Sequence, residues 1–179
     1  YGFGGAGGYG GAVLFKGIDH AINKGTINAS GGDGGSGHAA ICSADGHCSK
    51  PYNENPVYGI NMLSSLGSVI ADGSITAKGG DGFGPEYSTA GANGGEVNLK
   101  GEEIKVSGSI DASGGNAVDS SSGGRGGEIE LSGHLVTELE NIVYDLSGGF
   151  STGRGVGGCN GGFYLNSFNL NPDMDCDYR

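Results

Sequence analysis

The chain has no tryptophan, four prolines and only nine basic side chains among its 179 residues. The scarcity of lysine and arginine excludes the most. Against twenty acidic residues it leaves a net charge of −11, which repels nucleic acid and anionic lipid, so neither is an expected partner. No stretch approaches the run of about 18 apolar residues that a membrane span needs, and insertion into a membrane is not expected. Tyr1 opens directly into glycine-rich sequence without the basic, apolar and small-residue pattern of a signal peptide, so the chain reads as mature or excised from a longer one.

Catalytic signatures are equally scarce. No serine lies in G-x-S-x-G, and His20, His38, His47 and His134 are scattered without H-E-x-x-H spacing. Lys100 and Lys105 alternate with apolar residues and read as solvent-facing, while Arg125 and Arg154 lie among glycines. A polysaccharide lyase would need such a base gathered with calcium-binding carboxylates. The expectation is a protein that is not an enzyme.

Glycine, by contrast, is abundant, with 42 residues. Their spacing does not follow the Gly-X-Y period of collagen, because apolar stretches such as Ala12-Val13-Leu14-Phe15 interrupt it. A module recurs instead. One copy runs Gly94-Gly95-Glu96-Val97-Asn98-Leu99-Lys100-Gly101 and closes Gly108-Ser109-Ile110-Asp111-Ala112-Ser113-Gly114-Gly115. Another opens Gly126-Gly127-Glu128-Ile129-Glu130-Leu131 and closes Tyr144-Asp145-Leu146-Ser147-Gly148-Gly149. Earlier closes end at Gly32 and Gly80, and a truncated opening, Gly161-Gly162-Phe163-Tyr164-Leu165, follows near the end.

The closing glycines lie 48, 35 and 34 residues apart, giving a unit of about 34 residues with an insertion in the first interval. Within a unit, Val97 and Leu99, Ile104 and Val106, and Ile110 and Ala112 alternate with polar residues, which is the period of a strand. Helical repeats of similar period need ten-residue helices that Gly-Gly pairs would break. A short helix around Leu135 to Ile142 is the one weak helical signal. The fold class read from this pattern is all-β: a parallel β-helix, or β-solenoid, of about four coils with Gly-rich corners where glycine would supply positive φ. Val97 should lie over Ile129, and Ile110 over positions equivalent to Ala29. One domain spans residues 1–179, with a glycine and aromatic arm at 1–9, an inserted loop at 33–57, and a C-terminal strand and tail at 163–179.

The Gly-Gly-x-(Ile/Val)-x-Leu opening and the Gly-Ser-Ile-Asp-Ala-Ser-Gly-Gly close resemble the repeats of glycine-rich secreted parallel β-helix surface proteins, including adhesins and autotransporter passengers. The resemblance covers roughly Gly10 to Leu165, and it implies a right-handed coil in an extracellular setting. It transfers no catalytic residue.

Four cysteines form an even set and favour disulfides in an oxidising compartment. Of the three pairings, Cys42–Cys48 and Cys159–Cys176 join sequence neighbours. Asn28-Ala29-Ser30 is an N-glycosylation acceptor. Asp33, Asp81 and Asn116 follow the closing Gly-Gly in successive units; such a column suits a bridging Ca²⁺, or each Asp-Gly serves as turn chemistry with the side chain on its own backbone. The column Asn28, Thr76, Asp111 and Asp145 lacks the regular threonines of an ice-binding face. These readings converge on an extracellular structural protein, a self-assembling filament or coat subunit or an adhesin segment, joined head to tail through its coil ends, with glycans as candidate partners. The alternative is a carbohydrate-binding or polysaccharide-cleaving β-helix.

Overall fold

The computed structural model describes residues 10–33, 59–82, 89–119, 121–137 and 142–170. Every regular element among them is a strand: β1 (Val13–Gly17), β2 (His20–Asn23), β3 (Thr26–Asn28), β4 (Gly59–Ser64), β5 (Ser68–Ala71), β6 (Ser74–Thr76), β7 (Glu96–Val106), β8 (Ser109–Asp111), β9 (Glu128–Thr137), β10 (Val143–Asp145), β11 (Gly162–Leu165) and β12 (Phe168–Asn169). Of the weak helical signal, residues 135–137 are strand, as β-branched Val136 and Thr137 suit a pleated surface, Ile142 lies in no strand, and 138–141 lie outside the described residues. The inserted loop and the N-terminal arm, apart from Asp33, lie outside the described residues.

The strands form two sheets. One has eight strands in the order β1-β4-β7-β9-β11-β12, with β2 and β5 pairing beside the second half of β7. The other holds β10-β8-β6-β3. All pairings are parallel except that of β11 with β12, an antiparallel ending that the repeat did not forecast. β7 spans continuously what is divided between β4 and β5, since its first half pairs with β4 and its second with β5.

Alternation places one face of each strand inside. Val13, Ile60, Val97, Ile129 and Phe163 stack in one column, and Phe15, Met62, Leu99, Leu131 and Leu165 in the next but one. Val97, Leu99, Ile104, Val106, Ile129 and Leu131 are fully buried and Ile110 is 2% exposed, so the interior read from the sequence is the interior of the fold. Val97 does lie over Ile129. Ile110, however, stacks between Ile75 and Tyr144. The Ala29 position is matched by Ala77, Ala112 and Leu146, because the Ala29 N–H donates to Thr76 O at 2.8 Å and the Ala112 N–H to Asp145 O at 2.9 Å. The expected alignment was two residues out of register.

Glycine serves close approach rather than unusual torsion. The corner glycines Gly17, Gly67, Gly73 and Gly108 do not adopt left-handed φ; positive φ among non-glycine residues falls at Asp119, Asn166 and Ser167. What glycine permits is a layer of backbone packed on backbone. The closing segment of one unit and the opening segment of the next run side by side, and a relay of bonds crosses them. Ala92 N–H donates to Gly80 O at 2.9 Å, Gly115 N–H to Ala92 O at 2.8 Å, Gly124 N–H to Gly115 O at 2.9 Å, Gly149 N–H to Gly124 O at 2.8 Å and Gly158 N–H to Gly149 O at 2.9 Å. A Cβ on Gly115 would run into Gly80 O, and one on Gly149 into Gly115 O.

Candidate functional site

The column after the closing Gly-Gly is a ladder of side chains on backbone. Asp33 Oδ1 accepts the Asp81 N–H at 3.1 Å, Asp81 Oδ1 accepts the Asn116 N–H at 2.6 Å, and Asn116 Oδ1 accepts the Phe150 N–H at 2.9 Å. The structure thus brings all three residues together in register, but each side chain reaches the backbone of the following unit rather than its own. A short oxygen-bearing side chain here continues parallel pairing one step past the closing glycines. Phe150 has no oxygen to offer, so the ladder stops there. Among the described residues no group of three or more His, Cys, Asp or Glu side chains is placed to hold a metal ion.

A second Asx column follows a different rule. Asn28, Thr76, Asp111 and Asp145 share one register position, and Asn28, Asp111 and Asp145 each accept the N–H two residues on, at 2.9, 3.0 and 2.9 Å. These bonds turn the chain out of the four-stranded sheet. Asn28 is exposed at the end of β3.

Among the described residues the basic and imidazole groups do not converge. Lys100, Arg125, Arg154 and His134 are exposed, and Lys105 lies 3.6 Å from Glu103, a solvent-facing pair. His20 Nδ1 lies 2.9 Å from Ser68 Oγ across β2 and β5, a pair that sequence spacing could not signal because the two residues meet only through register. His38 and His47 lie outside the described residues. Cys159 is disulfide-bonded, while Cys42, Cys48 and Cys176 lie outside the described residues.

The ends of the strand stacks carry the chemistry that remains. In the column Phe15, Met62, Leu99, Leu131 the last three side chains are fully buried, but Phe15 is 43% exposed, since among the described residues β1 pairs on one side only, with β4. At the other end Tyr144, also 43% exposed, rests on Phe163 with ring centroids 5.0 Å apart. Leu14, Ile18 and Ile22 are exposed in the first strand set, and Leu135, Val143, Phe150, Phe168 and Leu170 in the last ones; among the described residues Leu66 is the single exposed large apolar side chain between them. The last edge is finished by a device that the sequence did not announce. Asn166 donates its N–H to Leu131 O at 2.8 Å, and its side chain both accepts the Gly133 N–H at 2.9 Å and donates to Gly133 O at 3.0 Å.

No family model, curated protein or solved structure matches the chain. No helix among the described residues is long and apolar enough to cross a membrane.

Proposed function

We propose that the chain is an extracellular, right-handed parallel β-solenoid that acts as a structural subunit without catalytic activity and associates through the ends of its coils. The observation that carries this reading is the confinement, among the described residues, of exposed large apolar side chains, Leu66 apart, to the first and last strand sets. A stack that buries the core of its middle and leaves its ends open is stable and soluble only when the ends are covered. The disulfide at Cys159 supports an oxidising compartment. The dispersed basic groups and imidazoles support a role other than catalysis, since general acid–base chemistry needs such groups within hydrogen-bond reach of one substrate position.

Sedimentation velocity across a concentration series, with negative-stain imaging of the same samples, tests the proposal. Species larger than the monomer are expected at high concentration. A monomer at every concentration would overturn association, and turnover of a polysaccharide by the purified chain would overturn the non-catalytic role.

A further inference from the structure

The two ends of the stack are not equivalent, and, resting on the solenoid reading above, we infer that association joins first edge to first edge across a two-fold axis, making a closed dimer of two copies of this chain. The last edge blocks the head-to-tail alternative. A following copy continuing the stack would set its β2 on the Leu135–Thr137 part of β9 and its β3 on β10. Its β1 would then need the position beside the first half of β9. That position is filled by β11, which pairs with Glu128 to Leu131, and β12 turns back over β11 in antiparallel register. The Asn166 side chain takes both backbone groups of Gly133, so the middle of that edge is closed as well.

Among the described residues the first edge carries no such device. Gly25 O accepts the Ser74 N–H at 2.9 Å and the Ala29 N–H donates to Thr76 O, so these residues face the second strand set. Thr26 and Asn28 alternate with them and aim their backbone groups at the open side. No proline interrupts β1, β2 or β3. Lys16 stands in the column of Leu63 and Lys100, on the outer face of the sheet rather than along its edge. Phe15 supplies an apolar contact in the plane of the edge.

Charge disfavours the other two-fold contact, last edge to last edge. Residues 10–33 hold Lys16 and Lys24 against Asp19 and Asp33, so the first strand set is neutral within a chain of net charge −11. Residues 121–170 hold five acidic side chains against two basic ones. Of the two possible two-fold contacts, first edge to first edge therefore repels less than last edge to last edge, and Lys16 and Asp19 recur in both partners there. A two-fold axis presents one patch to itself and reverses strand direction, so β1 to β3 meet their counterparts in antiparallel pairing, which parallel sheets accept at an edge.

The test uses the full chain, made without glycosylation so that Asn28 carries no bulk. A photo-crosslinking p-benzoylphenylalanine replaces Phe15, and peptides joined between copies are mapped by mass spectrometry. Crosslinks to residues 10–30 of the second copy, with a sedimenting species of twice the monomer mass, are expected. Thr26→Pro, which removes an outward N–H without touching the interior, should return the dimer to monomer with an unchanged far-ultraviolet spectrum. Crosslinks to residues 128–170 would show head-to-tail contact and overturn this inference while leaving association intact. A monomer with no intermolecular crosslink would overturn both. Should Thr26→Pro fail to fold, the crosslink map of the otherwise native chain decides alone.

Discussion

Asp81 Oδ1 accepts the backbone N–H of Asn116 at 2.6 Å, so a carboxylate 35 residues earlier does the work of a strand carbonyl. Hydrogen bonding explains the column without a cation. Asp81→Ala should destabilise the fold by about 2 kcal/mol, the worth of a bond to a charged acceptor, whereas Asp81→Asn keeps an oxygen in place and should recover most of it. Its contact with Lys78, at 4.0 Å and solvent-facing, contributes little. Urea denaturation of the two variants, with and without chelator, separates the accounts. A cation-bridged column would make Asn as damaging as Ala and would lose stability to chelator.

The glycine layer makes a sharper demand. At Gly115 an added Cβ meets the backbone oxygen of Gly80, and backbone bonded on both sides has little room to retreat. Gly115→Ala should cost about 3 kcal/mol through overpacking. At Gly25 an added Cβ meets nothing within 4 Å and φ is not left-handed, so Gly25→Ala should stay within about 0.5 kcal/mol of the parent. Melting curves of the pair would test the layer directly. Equal effects would mean that glycine acts only through chain flexibility.

Much of this architecture was legible because alternation and period are local properties of a sequence. Val97 and Leu99 announce an inward face, and the Gly-Gly-Glu-Val and Gly-Gly-Glu-Ile openings align Val97 with Ile129 without further information. The closing motif misled because it carries two inward positions two residues apart, Ile110 and Ala112, and Ile110 was set over Ala29, the counterpart of Ala112, when its partners are Ile75 and Tyr144. The purpose of glycine was not readable either. Composition shows that a Cβ is absent, whereas only the placement of Gly80 O shows what that Cβ would strike. The Asp33, Asp81 and Asn116 column was visible as spacing, but the direction of its bonds depends on which backbone N–H lies within reach. The Asn166 cap had no signal in the repeat, since it belongs to the one place where the repeat stops.

Disulfide chemistry offers a separate check. Cys159 is bonded, and the pairing expected from sequence proximity is with Cys176. Closing a loop of that length limits the unfolded chain by about 3 kcal/mol in the entropy model. Peptide mapping of the unreduced protein should recover residues 159 and 176 in one linked pair and Cys42 with Cys48 in another. Cys159 linked to Cys42 or Cys48 would overturn this pairing and tie the inserted segment to the far end of the chain.

Phe15 and Leu99 occupy one column yet face different surroundings, and the difference yields a concentration-dependent prediction. Leu99 is fully buried between Met62 and Leu131, so Leu99→Ala leaves a cavity and should cost about 3 kcal/mol whatever the protein concentration. Phe15 is packed on one side only and 43% exposed. In dilute solution Phe15→Ala should cost about 1 kcal/mol, since much of the ring is already in water. If a second copy covers the edge as proposed, the parent gains stability by mass action as concentration rises and the variant does not. The gap between their melting temperatures should therefore widen with concentration, while the gap for Leu99→Ala stays constant. A constant gap for both variants would mean that nothing covers Phe15 at the concentrations reached.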